Sequence, residues 1–590
     1  MEETSSVSTE FTPVQKEYLK GFFAGVAARR LREPFAGVTA NGLITNVPEE
    51  AVDPAIAKTV FGFPIEDLAK EERFKLDENP LDIWDKLVAH AEANKAPDAA
   101  DTFRFKFHGL FYVAPAQDSF MVRVRVPGCT IKAAQLLGLA EIAAQWGGGY
   151  GDITTRGNIQ LREFQPKDII NVLTTLSDLG LTSRGAGADN VRNITATPTS
   201  GLDRDELYDV VPLAKALQFY LLNHRELYGI PRKFNVAFDS GGLVSNVSDT
   251  NDIGFVATKV LPGRGIPDGV YFRVLLAGIT GHQQFGQDAG ILCKPEECVA
   301  VAAAVIRVFN ENGDRTNRKK ARLKYLIEKW GVQRFVDETE SKLTFPLLRF
   351  SASDFVPRKR VLRHGHIGVY KQKQRGLNYI GVVIPVGRLT HQQMRRLARI
   401  ADLYCGGELR LTVWQNAILP NVRDSDVETV KRDLVRCGLH YSATSITGGL
   451  VACTGNTGCR FSATNTKGQA LDLARYLEGF GNLDFPINIH LTGCPNSCAQ
   501  HHIADIGLLG VKVGSDSREG YNIYVGGGAD DQQGLGREVF RGILFEEVKP
   551  IIRRMLRVYQ VEKGLGETFQ DFVRKHDLNT LQQLFAEEPR

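Results

Sequence analysis

Phe120-Met-Val-Arg-Val-Arg-Val-Pro127 recurs in altered form as Tyr379-Ile-Gly-Val-Val-Ile-Pro385. The two prolines lie 258 positions apart. Thr154-Thr-Arg-Gly-Asn158 faces Thr412-Val-Trp-Gln-Asn416 at the same offset, and Leu179-Gly-Leu181 faces Cys437-Gly-Leu439. Three separate blocks with one offset mark an internal duplication. In each copy the apolar spacing switches between a period of two and one of about 3.6 residues. The order reads strand, helix, strand, helix, with helices expected at 130–145 and 390–404 and again at 167–179 and 424–436. The expected fold class is α+β, a ferredoxin-like split unit used twice around a pseudo-two-fold axis.

Working outward, each copy is followed by a longer segment, roughly 186–345 and 446–535. Both have strands, Gly-rich turns and an embedded helix, clearest at 299–310. The connector 315–345 carries Arg315, Arg318, Lys319, Lys320, Arg322 and Lys324. It reads as a basic helical stretch, either a solvated face or a dock for an acidic protein. Helices are expected at 539–562 and 580–585. Residues 1–12 look disordered, and Thr12-Pro13 reads as an N-cap followed by Pro at the first helical position. Residues 33–100 are rich in Pro, Gly and acidic residues, with short helices such as 80–94, and read as an extension wrapped over the main body.

A chain of 590 residues is too long for one core. With 43% apolar and 24% charged residues it has a globular composition. The formal net charge of +4 is too small to argue for nucleic acid. No apolar run approaches the length of a membrane span. Residues 1–10 show no secretory or transit character, so a reducing, cytoplasmic location is expected.

Four of the nine cysteines fall in two close pairs. Cys453-Thr-Gly-Asn-Thr-Gly-Cys459 is followed, after thirty-four residues, by Cys494-Pro-Asn-Ser-Cys498. Glycines beside both pairs favour tight turns where backbone approaches a bulky inorganic group. Four thiolates are what a [4Fe–4S] cluster needs. Structural zinc is the rival, with His501 and His502 close by, although the first gap is long for a zinc knuckle. A disulfide fits a reducing location poorly. Cys129, Cys293, Cys298, Cys405 and Cys437 are scattered, and core packing is their default role.

The duplication is most informative where it fails. The first copy carries Arg123, Arg125, Arg156 and Arg192, and at the same offset the second has Gly381, Val383, Trp414 and Leu450. Conversely, Cys453 faces Thr195 and Cys459 faces Gly201. One half supplies cations and the other thiolates. If the halves pack face to face, the two sets converge on one cavity suited to a polyanion. Pro231-Arg-Lys-Phe-Asn-Val236 adds Lys233 and Asn235, two residues apart and on one face of an expected strand. An ammonium beside an amide suits a small oxyanion.

These residues resemble the sirohaem-dependent nitrite and sulfite reductases over about residues 100–535. The pattern C-x5-C…C-x3-C is that family's signature, and the surroundings T-G-N-T-G-C-R-F and T-G-C-P-N-S-C-A-Q-H match as well. The resemblance implies a [4Fe–4S] cluster on Cys453, Cys459, Cys494 and Cys498, with Cys498 bridging to the sirohaem iron. It implies substrate-binding roles for Arg123, Arg192, Lys233 and Asn235. Sirohaem contacts are implied for Arg125, Arg156, Arg232, Asn496 and Cys498. It also implies a domain order: an N-terminal extension at 1–100, ferredoxin-like half-domains at 101–185 and 346–445, and sirohaem- and cluster-binding α+β domains at 186–345 and 446–590.

The activity implied is six-electron reduction of nitrite to ammonia, with sulfite reduction on the same scaffold as the alternative. Sulfite enzymes of the family usually show Lys-x-Lys where this chain has Lys233-Phe-Asn235. One fewer cation suits nitrite, a monoanion, over sulfite, which is mostly a dianion near neutral pH. Some ferredoxin-type sulfite reductases carry a cysteine where this chain has Gly187. No flavin or nicotinamide module is visible, and Gly526-Gly-Gly528 lacks the rest of a dinucleotide turn. Reduced ferredoxin is therefore the expected donor, with the chain acting as a monomer and without nucleic-acid or membrane partners.

Overall fold

A computed structural model describes residues 59–351, 354–444, 446–480 and 483–586. The chain forms two units, Met1–Glu66 and Asp67–Arg590. In the first, Thr59–Val60 (β1) and Phe63–Pro64 (β2) pair antiparallel. The helix expected from Thr12-Pro13 and the expected disorder at 1–12 lie outside the described residues. All further elements belong to the second unit.

Its strands fall into four groups. The first copy holds Leu110–Val113 (β3), Ser119–Val124 (β4), Thr130–Lys132 (β5), Tyr150–Ile153 (β6) and Ile159–Phe164 (β7). Next come Thr195–Ala196 (β8), Val236–Asp239 (β9), Ile253–Lys259 (β10), Val270–Leu276 (β11), Gln287–Cys293 (β12) and Leu348–Arg349 (β13). The second copy holds Gly368–Lys371 (β14), Leu377–Val382 (β15), Arg388–Thr390 (β16), Glu408–Leu411 (β17) and Ala417–Arg423 (β18). Leu450–Ala452 (β19), Ile489–Thr492 (β20), Ile506–Val513 (β21), Arg518–Val525 (β22) and Arg537–Leu544 (β23) complete the set.

β4 forms because Phe120, Val122 and Val124 alternate with residues of the other face, and all three are fully buried. Pro127 ends the extended run by fixing its own φ and lacking an N–H. The helix Ala133–Trp146 buries Leu136, Leu139, Ala140 and Ala143, one face at helical spacing. Its counterpart His391–Tyr404 buries Met394, Leu397, Ala398 and Ala401 and is opened by a Thr390–Gln393 capping box. The two helices lie against each other in one core shared by both copies.

The first of those helices starts three residues later than expected, at Ala133, while the second matches its expected span to one residue. Residues 130–132 and 388–390 are short strands, and each is exchanged between the copies. β5 pairs antiparallel with β17 of the second copy, and β16 with β6 of the first. The two sheets run β16-β6-β7-β4-β3 and β14-β15-β18-β17-β5. Three-residue strands carry too little pattern to be seen locally, and only their distant partners define them. Likewise, residues 539–544 of the expected long C-terminal helix belong to β23, which runs along β22, and the helix is Phe545–Glu562.

The duplication also runs through the two larger segments. β8, β9 and β10 are parallel neighbours, and β11 and β12 continue antiparallel. β19, β20 and β21 repeat the parallel part, with β22 and β23 antiparallel. The helices Val211–Asn223 and Thr466–Leu477 follow the first strand of each, and Cys298–Asn312 and Phe545–Glu562 follow β12 and β23. Among the described residues, no helix is long and apolar enough to cross a membrane.

The basic connector is neither a solvated face nor an open dock. Gly331, at φ 80°, separates the helices Leu323–Trp330 and Val332–Glu340. Arg315 pairs with Glu72 at 2.7 Å, Arg318 with Asp189 at 2.8 Å and Arg322 with Asp252 at 2.6 Å. Lys324 bonds to the carbonyl of His282. Only Lys319 and Lys320 of the six cations are exposed. Glu72 lies on the helix Lys70–Asp77, so this part of the N-terminal extension is tied to the connector by buried charge.

Candidate active site

The cysteine wall is built from strand ends. Cys453 follows β19 and Cys494 follows β20, two parallel neighbours, so both loops leave the same sheet edge. The Cys453 N–H donates to the carbonyl of Leu491, and its Sγ accepts from the Gly493 N–H at 3.3 Å. A Cβ on Gly493 would overlap the Ser462 side chain, so only glycine lets the two cysteine loops meet.

The cation wall comes from the other half. Arg123 stands on β4 with its guanidinium 4.4 Å from the centre of the Phe111 ring. Arg156 lies in the β6–β7 turn, and Arg192 follows the loop that ends at Val191. Phe234 bridges Val191 in parallel, which holds residues 233–235 extended and turns Lys233 and Asn235 to one side. Three hydrogen bonds from Thr155 and Arg162 join the walls directly. The Thr155 hydroxyl donates to the Cys498 carbonyl at 2.9 Å, and Arg162 of β7 donates to the Gly458 carbonyl at 3.1 Å and the Thr454 hydroxyl at 2.9 Å.

Between the walls lies a cavity of about 420 Å³. It brings together Arg123, Arg156, Arg192, Lys233, Asn235, Asn496 and all four cysteines. Cys498 is accessible to water yet ringed by protein, because it faces this interior. Burial pushes its thiol up to about 11 against the pull of Lys233, and the other three thiols add to the rise. Burial lowers Lys233 to about 7, with Arg322, Arg192 and Arg232 reinforcing the shift and Cys498 opposing it. Burial holds Arg123 and Arg156 at about 10, and burial and Arg123 together push Arg192 down further. Among the described residues, the Lys233 ammonium has no hydrogen-bond or ion-pair partner. Bound negative charge would oppose the lowering of Lys233, Arg123, Arg156 and Arg192.

Two expected site residues do not reach the cavity. Arg125 is buried, and its guanidinium is used by the carbonyls of Arg184, Val191 and Arg192 and by Gln218. β4 ends at Val124, so the period of two that aims Arg123 inward no longer governs Arg125. Arg232 is the immediate neighbour of Lys233 on extended backbone and therefore points the other way, toward Asp189 at 3.7 Å.

The cavity also holds cations that the sequence reading missed: Lys106, Arg162, Arg460 and Lys467. Arg162 could have been found, since Gln160 and Arg162 alternate along β7 in step with Asn158 just before it, and all three line the cavity. Lys106 sits in a 3-10 turn and gives no periodic signal. Asp152 is the one carboxylate among the lining residues. Burial would raise it, but Lys467, Arg388 and Arg162 outweigh that and hold it down to about 2.

The model for the nitrite and sulphite reductase 4Fe-4S domain matches residues 187–347 and 446–589, and the model for the nitrite/sulfite reductase ferredoxin-like half domain matches 113–179 and 370–437. The chain belongs to the nitrite and sulfite reductase family. Family members similar to it include the ferredoxin–nitrite reductase of Synechococcus elongatus, 35% identical over 504 residues that cover 83% of this chain and 96% of that one. The chloroplastic ferredoxin–nitrite reductase of Zea mays is 31% identical over 541 residues, covering 86% and 94%. Among solved structures of the family, the Mycobacterium tuberculosis NirA protein superposes with a TM-score of 0.80 at 27% identity, covering 87% of this chain and 97% of that one.

The residues present fit the cofactors of this family. Eight cations against one carboxylate suit a macrocycle that carries many carboxylates. The Nε atoms of Arg156 and Arg192 are buried and lack a hydrogen-bond partner among the described residues, so donors remain for an anionic group. No three His, Cys, Asp or Glu side chains among the described residues close on a single-ion site. Thiols spread along a wall suit a polynuclear cluster, in which each cysteine binds a different iron.

Proposed function

We propose that this chain reduces nitrite to ammonia with six electrons from reduced ferredoxin, as a cytoplasmic monomer. The observation that carries the reading is the cavity itself, with four thiols on one wall and eight cations around it. Cys453, Cys459, Cys494 and Cys498 would hold the [4Fe–4S] cluster, with Cys498 shared with the sirohaem iron. Arg156, Arg162, Lys106, Arg460 and Asn496 would receive the sirohaem carboxylates. Arg125 and Arg232 instead hold the loops behind the site. When bound, the sirohaem–cluster pair supplies an open iron position and a one-electron relay.

Arg123, Arg192 and Lys233 bind the nitrite oxyanion by charge-assisted hydrogen bonds. The same donors stabilise negative charge that develops on the leaving oxygens. Lys233 Nζ, which lines the cavity without a protein hydrogen-bond partner among the described residues, is placed to supply protons there. Asn235 provides a neutral amide where a second ammonium would favour a dianion. The test combines a visible and EPR spectrum of the purified protein with steady-state reduction of both anions by a chemical donor and by reduced ferredoxin. Sirohaem bands with a larger kcat/KM for nitrite are expected. A colourless zinc protein, or a larger kcat/KM for sulfite, would overturn the reading.

A further inference from the structure

Arg192 does not hold its own position. Its guanidinium donates to the carbonyls of Ala186 at 3.2 Å and Ala188 at 2.7 Å, and Arg123 shares the Ala186 carbonyl at 3.1 Å. The aim of both cations into the cavity therefore depends on the loop 185–190. That loop is strained, because Ala188 sits at φ 48°, a left-handed conformation that an alanine adopts only when its surroundings force it.

The next residue, Asp189, is fully buried. Both of its carboxylate oxygens accept from Arg318 at 2.8 Å, a two-pronged pair that fixes orientation as well as distance. Lys75 at 3.6 Å and Arg232 at 3.7 Å complete its surroundings. Arg318 is held in turn by Glu71 at 3.3 Å.

The pseudo-two-fold repeat separates scaffold from site. In the cation half, Arg322 grips Asp252, and an Asp252 oxygen accepts the Asn235 N–H at 2.8 Å. In the thiolate half, Arg363 grips Asp505, and an Asp505 oxygen accepts the Asn488 N–H at 2.7 Å. That device occurs in both halves and is architectural. The Asp189 clamp is different. At the repeat offset Asp189 faces Thr447, just as Arg192 faces Leu450. The clamp and the cation it serves are present together in one half and absent together from the other.

We infer that Asp189, held by Arg318, is a positioning residue that keeps the 185–190 loop strained so that Arg192 and Arg123 point at the bound anion. This rests on the proposed reading of the cavity as an anion-reducing site. The helix Lys70–Asp77, through Glu71 and Lys75, then belongs to the support of the site and is not a dispensable extension.

The test uses the cofactor-loaded full chain with Asp189→Asn and, in case that variant does not fold, Arg318→Lys, which keeps the charge but loses the fork. The nitrite dissociation constant is read from the shift of the visible bands in the resting protein, beside KM, kcat, cofactor content and hydrogen exchange of residues 185–192. The dissociation constant should rise roughly ten-fold in either variant and kcat should fall as well, because the same misplaced donors serve both binding and the charge on the leaving oxygens, with cofactor content unchanged. Arg363→Lys, the control in the other half, should leave nitrite affinity as it is. Unchanged nitrite affinity together with faster exchange in the loop would overturn the inference and leave Asp189 a purely structural residue. If the unaltered chain fails to reduce nitrite, the proposed function fails instead. The clamp is then judged by the same measurement with sulfite.

Discussion

Asn235→Lys places a second ammonium beside Lys233. Two residues apart on extended backbone, the positions are about 6.6 Å from each other. At an effective dielectric of about 20, two unit charges at that spacing repel by roughly 2.5 kcal/mol. Lys233 is already lowered to about 7 by burial and by the arginines around it, so the added cation is costly whenever the cavity lacks compensating charge. That cost falls equally on both substrates and cancels in their comparison. What does not cancel is the extra negative charge of a dianion. Held about 5 Å from the new ammonium, it gains roughly 1.5–3 kcal/mol for an effective dielectric between about 40 and 20. The ratio of kcat/KM for nitrite to that for sulfite should therefore move toward sulfite by about ten- to a hundred-fold. Steady-state rates with both anions and one chemical donor read this directly, with cofactor content checked by the visible spectrum. An unchanged ratio in a fully loaded variant would refute the charge argument and place discrimination elsewhere in the cavity.

Cys498→Ser should abolish the visible bands of sirohaem and cluster together, read by spectrum and iron content; retained bands would remove Cys498 from the link. Arg322→Met and Arg363→Met each strand a buried carboxylate and should destabilise the chain by about 3–5 kcal/mol in denaturant titration. Only Arg322→Met should also weaken nitrite binding, because Asp252 holds the Asn235 backbone whereas Asp505 holds its counterpart in the half without cations. The Asp152 carboxyl is depressed from 3.8 to about 2, so the stability it contributes is complete above about pH 5 and is lost as pH falls through 2 toward about 1. The unaltered chain should lose about 2–3 kcal/mol more than Asp152→Asn over that window in denaturant titrations, and parallel losses would refute the assignment.

Much of the architecture could be read locally. The 258-residue offset places β4 against β15, β7 against β18 and the helix Ala133–Trp146 against His391–Tyr404. Regular elements write their period into the sequence, and a duplication preserves it. The exchanged strands β5 and β16 were not legible, since three residues show no period and their partners lie in the other copy. The same contrast holds in the site. Arg123, on a strand, faced where its spacing said, while Arg125, one step beyond the strand end, turned away.

By itself, the sequence determined the duplication, the four-cysteine set and the division into a cation half and a thiolate half. Each depends only on residue types at fixed spacings along the chain. The tertiary structure decided which cations face the cavity and which serve as struts. Arg318 finds Asp189 at a separation of 129 residues, and Arg322 finds Asp252 at 70. A buried guanidinium must satisfy its charge and its hydrogen bonds with whatever the fold brings near. Its role is therefore fixed by distant partners, and the residues beside it in the chain carry no trace of them.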